Sequence, residues 1–454
     1  MCLSDNSRVL VGYFDGIKME RLFMERLSGW KNKKDRKPFV LEGARQAGKT
    51  WLVKEFGKRY FEKTAYISLQ NNERMERLFT GDMSPQRLVP ALSLESGVAI
   101  EPGTTLIVLD EVQEVPRALT ALKYFCEDAP DYAVIATGSS LGIALHPGTS
   151  FPVGKVEVGR LFPLCFREFL MARGEQGLAD VVEEMNLDMM TAFHDRIMEE
   201  LKYYLVVGGM PEVVKAFVEA YPQVDFDAVT SLQTQIVEEY RSDFSKHEAS
   251  APRGLTLRLN QVWDSIPSQL AKENKKFIYG MIKQGGRGRD FELAIQWLVD
   301  TSLVLKVPRV KTPSYPLKMY EDISAFKLYL CDVGLLRAIS DIEPAIILDG
   351  DAVFGAAKGA FAEQFACQEL LAAGRSPYYW AAENATSELD FVVQLNGRVV
   401  PLEVKAGRNL KAKSLKASMS RFDFSQAYRF STLPPKQDGA VCDLPLYAIG
   451  TFER

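Results

Sequence analysis

The sequence predicts an α/β chain in three parts: strands alternating with helices to about residue 170, a mainly helical stretch to about 345, and a C-terminal region built on a helix and a β-hairpin. Three observations predict it. The octet Gly43-Ala44-Arg45-Gln46-Ala47-Gly48-Lys49-Thr50 lies between a short apolar run at 38–41 and a helical run at 51–56. Further strand candidates at 65–69, 106–109 and 133–136 have helical patterns between them, the alternation of a mostly parallel sheet covered by helices. Asn396-Gly397 separates two β-rich runs, the strongest short-range hairpin signal.

A chain of 454 residues exceeds one typical core, so about three domains are expected. The composition, 47% apolar and 25% charged, is ordinary for a globular protein. No apolar run approaches the roughly 18–20 residues that cross a bilayer, so no membrane partner is expected. Met1-Cys2-Leu3-Ser4-Asp5 has neither the basic nor the apolar stretch that opens a signal peptide. The six cysteines (Cys2, Cys126, Cys165, Cys331, Cys367, Cys442) show no C-x-x-C pair and no zinc spacing, which reads as the reduced, core-filling thiols of a cytoplasmic protein. A net charge of -4 excludes a surface that is basic all over but allows local basic patches.

The octet fits G-x-x-x-x-G-K-[ST], the P-loop, in which glycines let backbone N–H groups close around phosphates. Lys49 is expected on the β- and γ-phosphates of ATP, and the Thr50 hydroxyl on Mg²⁺. Residues 105–111 form an apolar run ending in two carboxylates, as a Walker-B strand requires. Asp110 is then a Mg²⁺ ligand, and Glu111 the base that polarises the attacking water. A third strand ends in Thr137-Gly138-Ser139-Ser140, where Thr137 and Ser139 either reach the nucleotide or belong to a plain Gly/Ser loop. Arg160 is either an arginine finger or, in the commoner case, a surface arginine. His146, His194 and His247 form no cluster.

In the middle region, 207–211 breaks two helices, and Leu293, Trp297 and Leu298 recur at helical spacing. Strand-like runs follow at 303–307 and 326–330, and helices before a β-ribbon suggest a winged-helix module. Arg287 and Arg289 precede the Trp297 helix, either as phosphate contacts on a duplex or as a flexible basic loop.

In the C-terminal hairpin a two-residue turn pairs Leu395 with Arg398. Counting outward puts Asp390 across from Glu403, with Cβ atoms about 4.5–5.5 Å apart. Lys405 shares their face, and Leu389, Phe391, Val393, Leu402 and Val404 share the other. Opposed carboxylates repel unless something lies between them, and Mg²⁺ suits such a pair. Asp390 and Glu403 are thus candidate metal ligands, and Lys405 a group that stabilises developing charge, for phosphodiester hydrolysis. A salt bridge on a solvated sheet face accounts for the same spacing. The preceding helical run contributes Glu363 as a third carboxylate. Residues 404–421 hold Lys405, Arg408, Lys411, Lys413, Lys416 and Arg421 with no acid, a pattern that suits a polyanion or a solvated helix face.

These stretches resemble a bacterial and archaeal family that joins an AAA-type P-loop ATPase to a C-terminal domain of uncharacterised function related to the PD-(D/E)xK nucleases. GARQAGKT, LIVLDEVQ, ATGSS, the run at 159–170, YLVVGGMPEVV at 204–214, FKLYLCDVGLL at 326–336 and ELDFVV…PLEVKAG at 388–407 carry the resemblance, which covers almost the whole chain. It implies an AAA-type domain over 1–170, a helical and winged-helix region over 171–345, and a restriction-endonuclease-like α/β domain over 346–454. It implies ATP on Gly43–Thr50 and Mg²⁺ on Thr50 and Asp110. It also implies a nuclease-type set of Glu363, Asp390, Glu403 and Lys405, although Leu389 stands where the PD motif has proline. The expected function is ATP hydrolysis with action on nucleic acid, DNA and further copies of the chain being the candidate partners. The alternative is an ATP-gated switch whose nuclease-like domain only binds DNA or a protein.

Overall fold

The computed structural model describes residues 13–14, 17–139, 151–246, 254–272, 275–349, 355–382, 387–407 and 413–453. Cys2, Ser140, His146, His247, Arg408 and Lys411 lie outside the described residues. The chain divides into two compact units, Met1–Leu161 and Phe162–Arg454.

The first unit opens with a two-stranded antiparallel ribbon, β1 (Tyr13–Phe14) and β2 (Ile17–Lys18). Five parallel strands follow: β3 (Phe39–Gly43), β4 (Lys63–Ser68), β5 (Thr105–Asp110), β6 (Ala133–Gly138) and β7 (Glu157–Leu161). Their order across the sheet is β4-β5-β6-β3-β7. Every residue of β5 and β6 is buried, because helices cover both faces, and the stretches at 106–109 and 133–136 accordingly read as unbroken apolar runs. On one face Ile107, Leu109, Val134 and Ala136 pack with Leu119, Leu122 and Phe125 of the helix Arg117–Asp128. On the other, Leu106, Val108 and Ile135 pack with Leu52, Val53 and Phe56 of the helix Lys49–Tyr60. Since β6 lies between β3 and β5, its C-terminal Thr137 falls between the octet and the two carboxylates.

The second unit begins with helices, among them Phe166–Ala172, His194–Val207, Pro211–Ala220, Phe226–Lys246, Leu255–Leu270 and Gly288–Asp300. Its strands are β8 (Val304–Val310), β9 (Glu321–Leu330), β10 (Tyr378–Ala381), β11 (Glu388–Leu395), β12 (Arg398–Val404), β13 (Ala427–Ser431), β14 (Lys436–Asp438) and β15 (Val441–Pro445). They make one sheet in the order β14-β15-β13-β12-β11-β10-β8-β9. The ribbon β8–β9 follows its helices as expected, but Tyr379 of β10 pairs with Arg309 of β8 and joins the ribbon to the C-terminal strands. The boundary expected near 345 thus lies between strands of one sheet, the ribbon being joined to the C-terminal strands through β10. A lone two-stranded ribbon is marginal in water, and the extra strands give it a shared core. The two compact units divide after Leu161, close to the boundary expected at 170.

One joint ties this unit together. Asp332 caps the helix Val333–Ile339 by accepting from Leu335 N (3.1 Å), and its other oxygen accepts from Gly209 N at 2.6 Å. Gly208 has φ 75°, and a Cβ there would stand 2.1 Å from the Asp332 carboxylate. A Cβ on Gly209 would stand 2.0 Å from Leu164 O, while Gly209 O accepts from Leu164 N at 2.7 Å. The hydroxyl of Tyr204 donates to Leu164 O (2.5 Å) and accepts from Gln368 of the helix Gly355–Ala372 (2.7 Å). The same helix sends Glu369 to the amide of Phe166 at 2.9 Å.

Burial pushes the Asp332 carboxyl up to about 6, against the pull of the amides of Gly209, Leu335 and Gly334. An acid whose native pKa lies above its unfolded value binds more protons when folded, so its contribution to stability falls as pH rises from about 4 to about 6. Asp332→Asn keeps an acceptor but cannot titrate. The melting temperature of the variant minus that of wild type should therefore rise between pH 4 and pH 6 and level off above. A difference independent of pH across that window would contradict this account.

Candidate functional site

The octet forms the turn between β3 and the helix Lys49–Tyr60. Gly43 has φ 153°, and a Cβ there would stand 2.3 Å from Leu161 O, so only glycine fits beside β7. Gly48 caps the helix in the left-handed region, φ 92°. Arg21, which sequence reasoning missed, braces the loop from behind with its buried guanidinium 2.9 Å from Ala47 O. Lys49 is buried, and its Nζ donates to Gly43 O and Ala44 O, both at 2.9 Å. Burial lowers its pKa to about 8, even though Glu111 and Asp110 pull it up.

Asp110, at the end of β5, accepts from three hydroxyls. Thr50 Oγ1 donates to Oδ2 at 2.8 Å, Tyr66 OH to the same oxygen at 2.6 Å, and Thr137 Oγ1 to Oδ1. The structure thus brings Lys49, Thr50, Asp110, Glu111 and Thr137 to one edge of the sheet, with Arg45 and Gln46 in the loop and Ser139 just past β6. Glu111 has φ 56°, and Gln113 Nε2 donates to its carboxylate. Hydroxyl and carboxylate oxygens held this close are the hard donors that Mg²⁺ takes, so Thr50 and Asp110 fit the ion. Arg160, on β7, stands 3.7 Å from Glu42 and is substantially exposed.

Tyr66 was also missed. It lies on β4, where a tyrosine in a strand signals only packing. Burial and its bond to Asp110 raise its pKa, so the hydroxyl stays a donor, and Lys54 Nζ lies 3.8 Å from its ring centre. Tyr66→Phe removes a hydrogen bond to a charged acceptor, typically about 1.5–3 kcal/mol. The expected outcome is an ATPase rate about tenfold lower at limiting Mg²⁺ that recovers as Mg²⁺ is raised. An unchanged Mg²⁺ dependence would remove Tyr66 from the site.

The C-terminal hairpin has the expected register. Leu395 pairs with Arg398 and Phe391 with Leu402 around Asn396 (φ 48°) and Gly397 (φ 78°), which both central positions of this turn require. The described ladder ends at Phe391–Leu402. The Asp390 carboxylate accepts from the amide of Val404 at 2.8 Å, and Glu403 pairs with Arg429 of β13. Lys405 Nζ lies 2.9 Å from Glu403 Oε1, while Glu403 Oε2 is buried with no hydrogen-bond partner among the described residues.

The expected convergence of Glu363, Asp390 and Glu403 on one metal does not form. Among the described residues no three of His, Cys, Asp and Glu are grouped to hold an ion. Lysines stand there instead. Lys275 donates to Glu363 Oε1, Lys327 Nζ is 3.4 Å from Oε2 and 2.6 Å from Glu388, and Tyr329 OH donates to Oε2 at 3.1 Å. Burial would raise Glu363, but Lys275 and Lys327 outweigh it and hold the carboxyl below the usual range. Asp390 is pushed well above the usual carboxylate range by burial and then by the Glu363 charge. As arranged, the set does not fit a metal. The sequence carried one signal of this: Lys327 is a charge inside the apolar strand Phe326-Lys327-Leu328-Tyr329-Leu330, which demands a buried acid opposite. Nothing marked Lys275 among its neighbouring lysines.

An AAA-domain family model matches residues 35–170. Two domains of unknown function match 198–345 (DUF8612) and 358–436 (DUF4143). No curated protein matches the chain. Among solved structures, the chain is similar to a Walker-type ATPase of Pyrococcus abyssi, with 14% identity, 71% of this chain and 96% of that one covered, and TM-score 0.44. It is also similar to the Orc1 protein of Aeropyrum pernix in complex with DNA, with 16% identity, 70% and 90% coverage, and TM-score 0.29. By the family match, residues 35–170 are an AAA-type P-loop ATPase domain, which supports ATP binding and hydrolysis. No helix among the described residues is long and apolar enough to cross a membrane.

Proposed function

We propose that this protein is a Mg²⁺-dependent ATPase whose C-terminal unit binds a partner, nucleic acid being the favoured class, without cutting it. One contrast carries the reading. The Thr50–Asp110 pair is arranged for a cation, whereas Glu363 has both oxygens occupied by lysine ammonium groups and tyrosine. Mg²⁺ would be held by Thr50 and Asp110 and would neutralise charge on the phosphates. Lys49 exchanges its two carbonyl partners for the β- and γ-phosphates. Glu111 orients and deprotonates the attacking water, and Thr137 keeps Asp110 in place. Lys49, Asp110 and Thr137 are buried, and Asp110 is already oriented by its hydroxyl donors when charge develops.

The nucleic-acid partner rests on exposed basic groups. Arg289 is 78% exposed at the start of the helix Gly288–Asp300, next to Arg287, and Lys416 and Arg421 are exposed on the helix Lys413–Phe422. Cleavage is a second reading, favoured by Glu403 Oε2, which has no hydrogen-bond partner among the described residues, beside Lys405.

Lys49→Ala should abolish tight ATP binding. Glu111→Gln should retain it and lower turnover about 10²–10⁴-fold, the usual contribution of a general base. Wild-type turnover by Glu111→Gln would show that another group is the base. Replacing Arg287 and Arg289 by alanine should weaken DNA binding and reduce its salt slope by about 2, one unit per phosphate contact. An unchanged slope would take this helix out of the account. Mg²⁺-dependent cleavage of DNA or RNA by the wild-type chain would replace the binding reading with the second one.

A further inference from the structure

We infer that the loop at 311–320, together with the helix Lys413–Phe422, forms a surface for single-stranded nucleic acid, on which Tyr315 and Tyr320 stack against unpaired bases. The inference deepens, and rests on, the reading of this unit as a nucleic-acid binder. The loop joins β8 to β9 and is closed by Lys311 N donating to Tyr320 O at 2.9 Å. It is pinned by the buried Leu317, whose amide donates to Gln394 of β11 at 3.2 Å, and Pro313 and Pro316 restrict its backbone. Its large apolar groups are nonetheless exposed: Tyr315 by 55%, Met319 by 80% and Tyr320 by 39%. Exposed apolar groups clustered at a fixed place mark an interaction surface.

Charge selects the occupant. Residues 311–320 hold Lys311 and Lys318 and no acid, and the acid-free basic run at 404–421 ends in Arg421. Trp380 of β10 brings the two stretches together: its Nε1 donates to Lys311 O at 3.3 Å, and the Arg421 guanidinium lies 5.2 Å from its ring centre. The acids that follow the loop, Glu321 and Asp322, are paired with Lys318 and Arg309. Lys311 and Arg421 are exposed, with no carboxylate at ion-pair distance among the described residues, and Lys416 is exposed on the same helix as Arg421. In a chain of net charge -4, two acid-free stretches that meet make a local positive surface, which suits a polyanion. Cations beside exposed aromatic faces hold a single strand, the cations following the phosphates while the bases stack on the rings. In a duplex the bases stack on one another and offer only their edges, which leaves the tyrosine faces nothing to take up.

The test measures binding of labelled oligo(dT) and of a labelled duplex of the same length to the full-length chain, by fluorescence anisotropy over a series of salt concentrations. Tyr315→Ala should weaken binding of the single strand about tenfold, the loss of one base–aromatic stack, and leave the duplex unchanged. Tyr315→Phe keeps the ring and should bind the strand as wild type does. Lys311→Ala and Arg421→Ala together should reduce the salt slope on the strand by about 1.4, at about 0.7 per phosphate contact. Tyr320→Ala is the second variant should Tyr315→Ala unfold the unit, with a thermal melt to check each. If both folded variants bind oligo(dT) as wild type does, the inference is overturned. Equal weakening on the duplex also overturns it and assigns the loop to duplex DNA. Self-association that Tyr315→Ala abolishes, seen by light scattering with oligo(dT) binding unchanged, overturns it in favour of a second copy of the chain. Wild type that binds neither strand nor duplex would defeat the nucleic-acid reading and this inference with it, whereas duplex binding without single-strand binding would defeat the inference alone, so the two failures are separable.

Discussion

The carboxylate of Asp332 on the amide of Gly209 is the contact on which the second unit depends. Two chain segments more than a hundred residues apart meet there with no room for a side chain on either glycine, and Leu164 closes the third side. The Gly-Gly-Met-Pro and Cys-Asp-Val-Gly stretches, together with the run around Leu164 and Phe166, therefore serve a joint rather than a reaction. Asp332 is charged at neutral pH at the cost of burial, and the helix it caps offsets that cost through its first-turn amides. This joint also places Glu369 and Gln368, and hence the helix that presents Glu363.

The two units solve the problem of buried charge differently. In the ATPase domain Asp110 is satisfied by neutral hydroxyls, which leave its negative charge available to a cation. In the C-terminal unit Glu363 is satisfied by ammonium groups, which consume that charge. Hydroxyl donors orient a carboxylate, whereas lysines replace what it would otherwise bind. The difference in donors separates a carboxylate that keeps its charge from one whose charge is met by lysines.

Local chemistry explains what was readable. A P-loop needs glycines at fixed offsets because the backbone itself binds phosphate, and Gly43 and Gly48 stand where no side chain or no ordinary φ is tolerated. A two-residue turn sets hairpin register by geometry alone, so the pairing from Leu395 to Phe391 followed from Asn396-Gly397. The order of the five parallel strands did not follow, nor did the joining of β8–β9 to the C-terminal sheet, since strand pairing over long separations leaves no local mark. Tyr66 and Arg21 escaped notice for the same reason: each acts on a segment remote in sequence.

By itself the sequence determined the P-loop, its carboxylate strand, the hairpin register and the presence of carboxylates near the C-terminus. These are properties of residue type at short spacing, where covalent geometry and turn conformation allow few outcomes. Only the tertiary structure decided what those C-terminal carboxylates face. Lys275 and Lys327 reach Glu363 from elements far along the chain, and a charge finds its counter-charge by proximity in space, which spacing in sequence does not encode.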